Sequence, residues 1–324
     1  MSISDERENK DINTTKEKPF KKFVTSTFPC KGDSVKQVIF KIVFIIAFIS
    51  LIVSSVFLIT YFYGEAKIKK LNDDLRSQYS GSDSSIIDIS KPDPKMLDKF
   101  VKLYNTNPDI VGWIEIPNTT ISYPVMQTTD NDYYLKHDFN KEDSRGGAIF
   151  ADFRIPLTKY GMPQNTVLYG HDMDNGDFFS QLRNYKKLDF FKKSPTFTFD
   201  SLYENQTWKI FACFMTSIRP DQDGGVVFDY HNRISFSNES QFNDFYSEVM
   251  KRSYYLTDTD VKFGDELITL STCDREFADS RFVVVARKVR EGEDNSVDVS
   301  KIVKNENKYM PLVWYKVTGQ KPPR

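Results

Sequence analysis

Two short runs toward the C-terminal end carry the side chains best suited to chemistry. Glu266–Cys273 (ELITLSTC) ends in a cysteine, Arg281 opens RFVVVARKV, and the polar segment DREFADS (274–280) separates them. Paired as an antiparallel hairpin, these runs set Cys273 at the end of one strand beside Arg281 at the start of the next. Period-two alternation puts Leu267, Thr269, Ser271 and Cys273 on one face, Ile268 and Leu270 on the other. The register that opposes Cys273 to Arg281 turns the guanidinium to the cysteine's face; a slip of one residue turns it away. An arginine so placed favours the thiolate and can donate to the oxyanion of a tetrahedral intermediate. It stays cationic at any working pH and offers a planar fork of donors.

A thiol nucleophile also needs a group that takes a proton and later returns one to the leaving amine. The chain has three histidines. His171 follows NTVLYG (165–170) and precedes the turn-rich DMDNG (172–176), a strand-end position suited to the rim of a site. His137, in LKHDFNKED, and His231, in FDYHNRISF, look like solvated loop residues. Of the three cysteines, Cys213 in KIFACFMTS has apolar neighbours on both sides and fits a core position; Cys30 has no assigned task. Taken singly, Cys273 could be a small buried hydrophobe, Arg281 a surface strand residue and His171 a loop residue. Their joint arrangement ranks them first. With no CxxC or Cys/His cluster, neither a disulfide framework nor a zinc site is expected, and the reading needs no cofactor.

Positioning three such groups requires a rigid scaffold, and the sequence offers one. Short strand-like runs occur at VGWIEIP, ISYPVMQ, GGAIFADF, NTVLYGH, TFTFD, TWKIFACFMTS, ELITLSTC and RFVVVARKV. Their spacing predicts a mostly antiparallel barrel or sandwich, with 27 Phe and 17 Tyr to fill its core. One helix interrupts the series: Asn238 and Gln241 form a capping-box-like start, and Phe242, Phe245, Tyr246, Val249 and Met250 follow at helical spacing. Another helix is expected after Asp93-Pro94, read as N-cap and first position, with Leu97, Phe100, Val101 and Tyr104 on one face. Lys and Arg total 44 against 45 Asp and Glu, so no basic field exists to recruit nucleic acid.

Residues 42–63 (IVFIIAFISLIVSSVFLITYFY) are uncharged, and at 1.5 Å per residue they reach roughly 33 Å, enough to cross a bilayer. The run is too long, and too far from the start, for a signal peptide. The organisation expected is a disordered cytoplasmic tail (1–37), an anchor (38–63), a juxtamembrane helix and linker (64–92), a catalytic domain (93–290) and an extension (291–324). Lys21, Lys22, Lys31, Lys36 and Lys41 precede the span and Lys67, Lys69, Lys70 and Arg76 follow it, a small bias toward a cytoplasmic N-terminus. That leaves the later residues outside the cell. The polar extension is expected to pack back through MPLVWY (310–315).

TLSTC (269–273) followed by Arg281 and FVVVA resembles the active-site hairpin of class B sortases, and VLYGHDM (167–173) is similar to the histidine segment of that family. YPVMQTTDNDYYLKHDF (123–139), GGAIFADFR (146–154) and a long helix at 238–252 resemble it too, in the family's order. The resemblance implies an eight-stranded closed barrel with N-terminal helices. It also implies a two-step reaction: Cys273 attacks a Thr carbonyl in the C-terminal sorting signal of a secreted protein, and an amine from a peptidoglycan precursor or a pilin lysine resolves the thioester. His171 would serve as acid and base and Arg281 would steady the oxyanion. Asn131 and Leu135 match groove positions of relatives, and Ser271 and Thr272 would shape the pocket. Two rivals remain at this level: a Cys/His cell-wall peptidase or amidase that hydrolyses, and a membrane-tethered binding domain with no chemistry.

Overall fold

A computed structural model describes residues 19–80 and 95–322. The strands, in chain order, are β1 (Ile110–Glu115), β2 (Ser122–Met126), β3 (Ile149–Ala151), β4 (Asn165–Tyr169), β5 (Thr196–Ser201), β6 (Thr207–Ser217), β7 (Tyr255–Leu256), β8 (Leu267–Cys273), β9 (Ser280–Lys288) and β10 (Val303–Lys304). All eight expected runs are among them. Those eight close into a barrel in the order β1-β2-β3-β4-β8-β9-β6-β5, and β7 pairs with β10 outside it. Closure removes the open edges that a sandwich would leave. Two neighbours, β2/β3 and β4/β8, run parallel, a departure from simple antiparallel order that long connections permit.

Alternation along β8 holds as expected. Ile268 and Leu270 enter the barrel interior with Phe282, Val284 and Ala286 of β9 and Cys213 and Met215 of β6. Leu267, Val283 and Val285 face outward and are covered by Phe242, Phe245 and Val249. These three belong to helix α5 (Glu239–Arg252), which follows α1 (Pro19–Thr27), α2 (Val35–Ser80), α3 (Asp98–Thr106) and α4 (Leu188–Lys193) and precedes α6 (Leu312–Thr318). The α5 cap is as read: the Asn238 side chain accepts from Gln241 N at 3.0 Å, and Gln241 Oε1 accepts from Ser237 N at 3.0 Å.

The α3 reading needs correction. Asp93-Pro94 lies outside the described residues, and the helix begins at Asp98 with Leu97 as N-cap. Its buried face is Leu97, Phe100 and Leu103, whereas Val101 and Tyr104 are exposed. A three-residue stride carries the stripe to Leu103, which the expected face omitted. The tail expected to be disordered over 1–37 contains α1 and the start of α2 among its described residues.

The chain divides into two compact units, Met1–Ala66 and Lys67–Arg324. Among the described residues α2 is the one helix long and apolar enough to cross a membrane, and almost every side chain from Ile42 to Phe62 is exposed. In the second unit, the end of α2, within the stretch expected to begin as a juxtamembrane helix, is part of the barrel's packing. Ile68 and Leu75 are buried there, and Arg76 donates to the Ser122 and Thr120 carbonyls at 3.0 and 2.9 Å. At the other end, Met310 is buried, and Val313, Trp314 and Tyr315 pack against the interior cluster, as the apolar run predicted.

Candidate active site

Cys273 is the last residue of β8 and the exposed one in a strand otherwise buried. Its partner across β9 is Arg281, so the register is the one that brings thiol and guanidinium to the same face. On the other side of β8 runs β4, with Tyr169 level with Ser271. The match continues past the strand: Gly170 N donates to Ser271 O at 3.3 Å and Thr272 Oγ1 to Gly170 O at 2.8 Å. The paired strand ends at Tyr169, and His171 follows Gly170 directly. Cys273 thus lies opposite Arg281 on β9, while the segment that leads to His171 runs along the other side of β8. A Cβ on Gly170 would lie 2.8 Å from the Phe179 ring, so this turn is pressed against the 3-10 helix Phe179–Lys186 and admits only glycine.

His171 is held twice. Its carbonyl accepts from Phe179 N at 3.1 Å, and its Nε2 lies 2.8 Å from Leu135 O. A carbonyl only accepts, so Nε2 carries a proton and Nδ1 is the nitrogen left to exchange one. The Arg281 guanidinium donates to the neighbouring Ser280 carbonyl at 3.0 Å and pairs with no carboxylate among the described residues. Most of its donors therefore stay available to a developing negative charge.

Charges lock the loops that carry these residues. Asp172, directly after His171 and with its carboxylate buried, accepts from Arg183 Nη2 at 2.9 Å and Arg275 Nε at 2.8 Å. Arg275 also reaches Asp174 at 2.5 Å. Because Arg275 lies two residues after Cys273, one side chain ties the loop after His171 to the loop after Cys273. Lys186 holds Asp274 and Glu276 in that same loop at 2.7 and 2.6 Å. Beneath the site, Tyr230 Oη and Ser271 Oγ are 2.7 Å apart and buried. Burial raises the Tyr230 phenol above its ordinary range, with Arg281 and Cys273 acting on it in opposite directions.

The remaining residues singled out from sequence fall as follows. Thr272 and Ser271 are buried, so any effect on the pocket comes from below its surface. Leu135 meets His171 through its backbone carbonyl. The Asn131 amide is engaged at both ends, donating to Asp152 Oδ2 and accepting from Phe153 N, each at 3.0 Å. Cys213 lies inside the barrel, where burial pushes its thiol well above the usual range. His137, expected to be solvated, is half-buried and stacks on Tyr133 with ring centroids 4.0 Å apart. Sequence reasoning missed Asp172, Arg275, Lys186 and Tyr230. The first two had a signal, opposite charges one residue after His171 and two after Cys273; Tyr230 arrives from a remote segment and had none.

Residues 114–289 match the family model for the sortase domain. Sortase B of Listeria monocytogenes is 34% identical over 219 residues, covering 67% of this chain and 83% of that protein. Among solved structures, sortase B of Bacillus anthracis in complex with AAEK1 superposes with TM-score 0.60 at 30% identity, covering 71% of this chain and all 100% of that one. A Staphylococcus aureus sortase B–substrate complex gives TM-score 0.60 at 29% identity, with the same 71% and 100% coverage. His171, Cys273 and Arg281 all fall inside the matched span, on the barrel that these relatives share. The chain therefore belongs to the sortase family, class B, and is a cysteine transpeptidase.

Proposed function

We propose that Cys273 is the nucleophile, His171 the acid and base, and Arg281 the oxyanion donor of a transpeptidation that joins a sorting-signal protein to an amine. The thiolate of Cys273 attacks the Thr carbonyl carbon of a C-terminal sorting signal, forming a C–S bond and an oxyanion facing Arg281. Collapse breaks the scissile C–N bond, and Nδ1 of protonated His171 gives its proton to the departing amine. An incoming amine then attacks the thioester and yields a proton to His171, the C–S bond breaks, and the thiolate returns. The cross-strand pairing of Cys273 with Arg281, with His171 following the strand that flanks β8 on its other side, is the observation that carries this reading. Relatives crystallised with a substrate and with a triglycine peptide support a two-substrate reaction. The acceptor would be an amine of a peptidoglycan precursor or of a pilin lysine.

Asn131 and Leu135 would line the sorting-signal groove, with Ser271 and Thr272 supporting its floor. The exposed apolar stretch of α2, followed by a unit that carries all the chemistry, supports a single-pass anchor at the cell membrane. Its lysine-bearing N-terminus would lie in the cytoplasm and the catalytic unit (93–290) outside. Product analysis tests the reaction. Incubated with Thr-containing sorting peptides and an amine, the enzyme should yield an amide, and Cys273→Ala should yield nothing. Free acid as the sole product in excess amine would favour the hydrolase, and full cellular function of Cys273→Ala would favour a binding domain.

A further inference from the structure

The residues after 289 lie beyond the family match, yet their end reaches the loop between Cys273 and Arg281. Trp314 Nε1 donates to Glu276 Oε2 at 2.6 Å, while Lys186 holds the other Glu276 oxygen at 2.6 Å. Val313, Trp314 and Tyr315 pack on the cluster that includes Phe277 of the same loop. A second loop is gripped as well: buried Asp223 accepts from Tyr309 Oη at 2.6 Å and from Leu312 N at 3.1 Å. That loop in turn supports the first, since Gln222 Nε2 donates to Ala278 O at 3.0 Å. The chain reaches this position from firm footings. Glu293 accepts from Arg287 and Lys209 of the barrel at 2.6 and 2.8 Å, and β10 pairs with β7.

We propose that the C-terminal segment is a buttress for the nucleophile's loop, with Trp314 as a positioning residue that keeps Arg281 opposite Cys273. The loop needs such a support. Asp279, just before β9, adopts a left-handed conformation at φ 62°, which costs free energy unless its surroundings hold it. Oxyanion stabilisation depends on a donor fixed to within a fraction of an ångström, so a loose loop weakens it before the barrel itself is disturbed. The positioning role rests on the proposed chemistry of Cys273 and Arg281; the buttress itself does not.

The test uses the full chain in detergent micelles, with Trp314→Ala, Trp314→Phe, Glu276→Gln and Glu276→Ala. Amide hydrogen exchange over 274–280 reports the loop, and the alkylation rate of Cys273 by iodoacetamide reports the thiolate. Trp314→Ala should speed exchange over 274–280 about tenfold, with β5 and β6 unchanged, and slow alkylation about threefold. Trp314→Phe, which keeps the ring packing, should fall between, and Glu276→Gln, which keeps an acceptor, should disturb the loop less than Glu276→Ala. Unchanged loop exchange in Trp314→Ala, or a uniform rise across the barrel in both Trp314 variants, overturns the buttress. Faster loop exchange with unaltered alkylation overturns the positioning role. A wild-type Cys273 no more reactive than free cysteine counts against the catalytic reading and leaves the loop measurement standing.

Discussion

Arg281 has one donor on its neighbour's carbonyl and the rest uncommitted, open to something negative that forms at the thiol. If that something is the oxyanion, losing the fork affects the chemical step and not the ground state. Arg281→Lys retains the charge but offers a point donor in place of a plane. Steady-state kinetics should show kcat lower by about a hundredfold with KM within about twofold. A rise in KM with unchanged kcat would make Arg281 a substrate anchor instead. Cys213 supplies the contrast: its thiol is sealed in the barrel, and Cys213→Ala should keep full turnover while lowering the melting temperature. These residue types were legible; hairpin logic named the Cys273–Arg281 register but left a one-residue slip open, which the strand pairing decides. The position of His171 was not, because a parallel pairing between strands far apart in the chain leaves no local trace.

At the level of elements, the loops after β4 and β8 act as one unit because opposite charges bridge them. Arg275→Met removes the tie to Asp172 and Asp174. Its side chain is 43% exposed, so the loss should cost at most about 1 kcal/mol of stability. Turnover should nevertheless fall about tenfold through misplaced His171, with Arg275→Lys recovering part of it; equal kcat in Arg275→Met and wild type would refute the tie. A second device anchors the extension. Arg287 foremost, then Lys209, holds the Glu293 carboxyl well below the usual carboxylate range. A depressed folded-state pKa means that this stabilisation is complete above the unfolded value near about 4.3 and disappears as pH falls through the folded one. Melting curves should therefore separate Glu293→Gln from wild type at pH 7 and bring them together in strong acid. A constant gap down to the lowest pH would contradict it. The Glu293 anchor was not legible, and the Arg275 tie only as opposite charges near His171 and Cys273, since tertiary structure alone brings these side chains together. The strands and the α5 cap were legible because alternation and capping are local.

For the whole molecule, the barrel and the end of α2 form a unit that begins at Lys67. Ile68 and Leu75, buried within it, each contribute about 2 kcal/mol. A chain starting at Lys67 should stay soluble, melt where the full chain does and keep its turnover. One starting at Asp93 should melt at lower temperature, having lost the α2 turns on the barrel. Closure of eight strands followed from family resemblance, because spacing alone allowed a sandwich.

The thioester is the most direct object of measurement. The full chain mixed with Thr-containing sorting peptides, quenched in acid within a turnover and mapped by mass spectrometry, should carry the acyl fragment on Cys273 and release it to hydroxylamine. Peptide cleavage without any adduct on Cys273, or with the adduct elsewhere, would contradict the assignment.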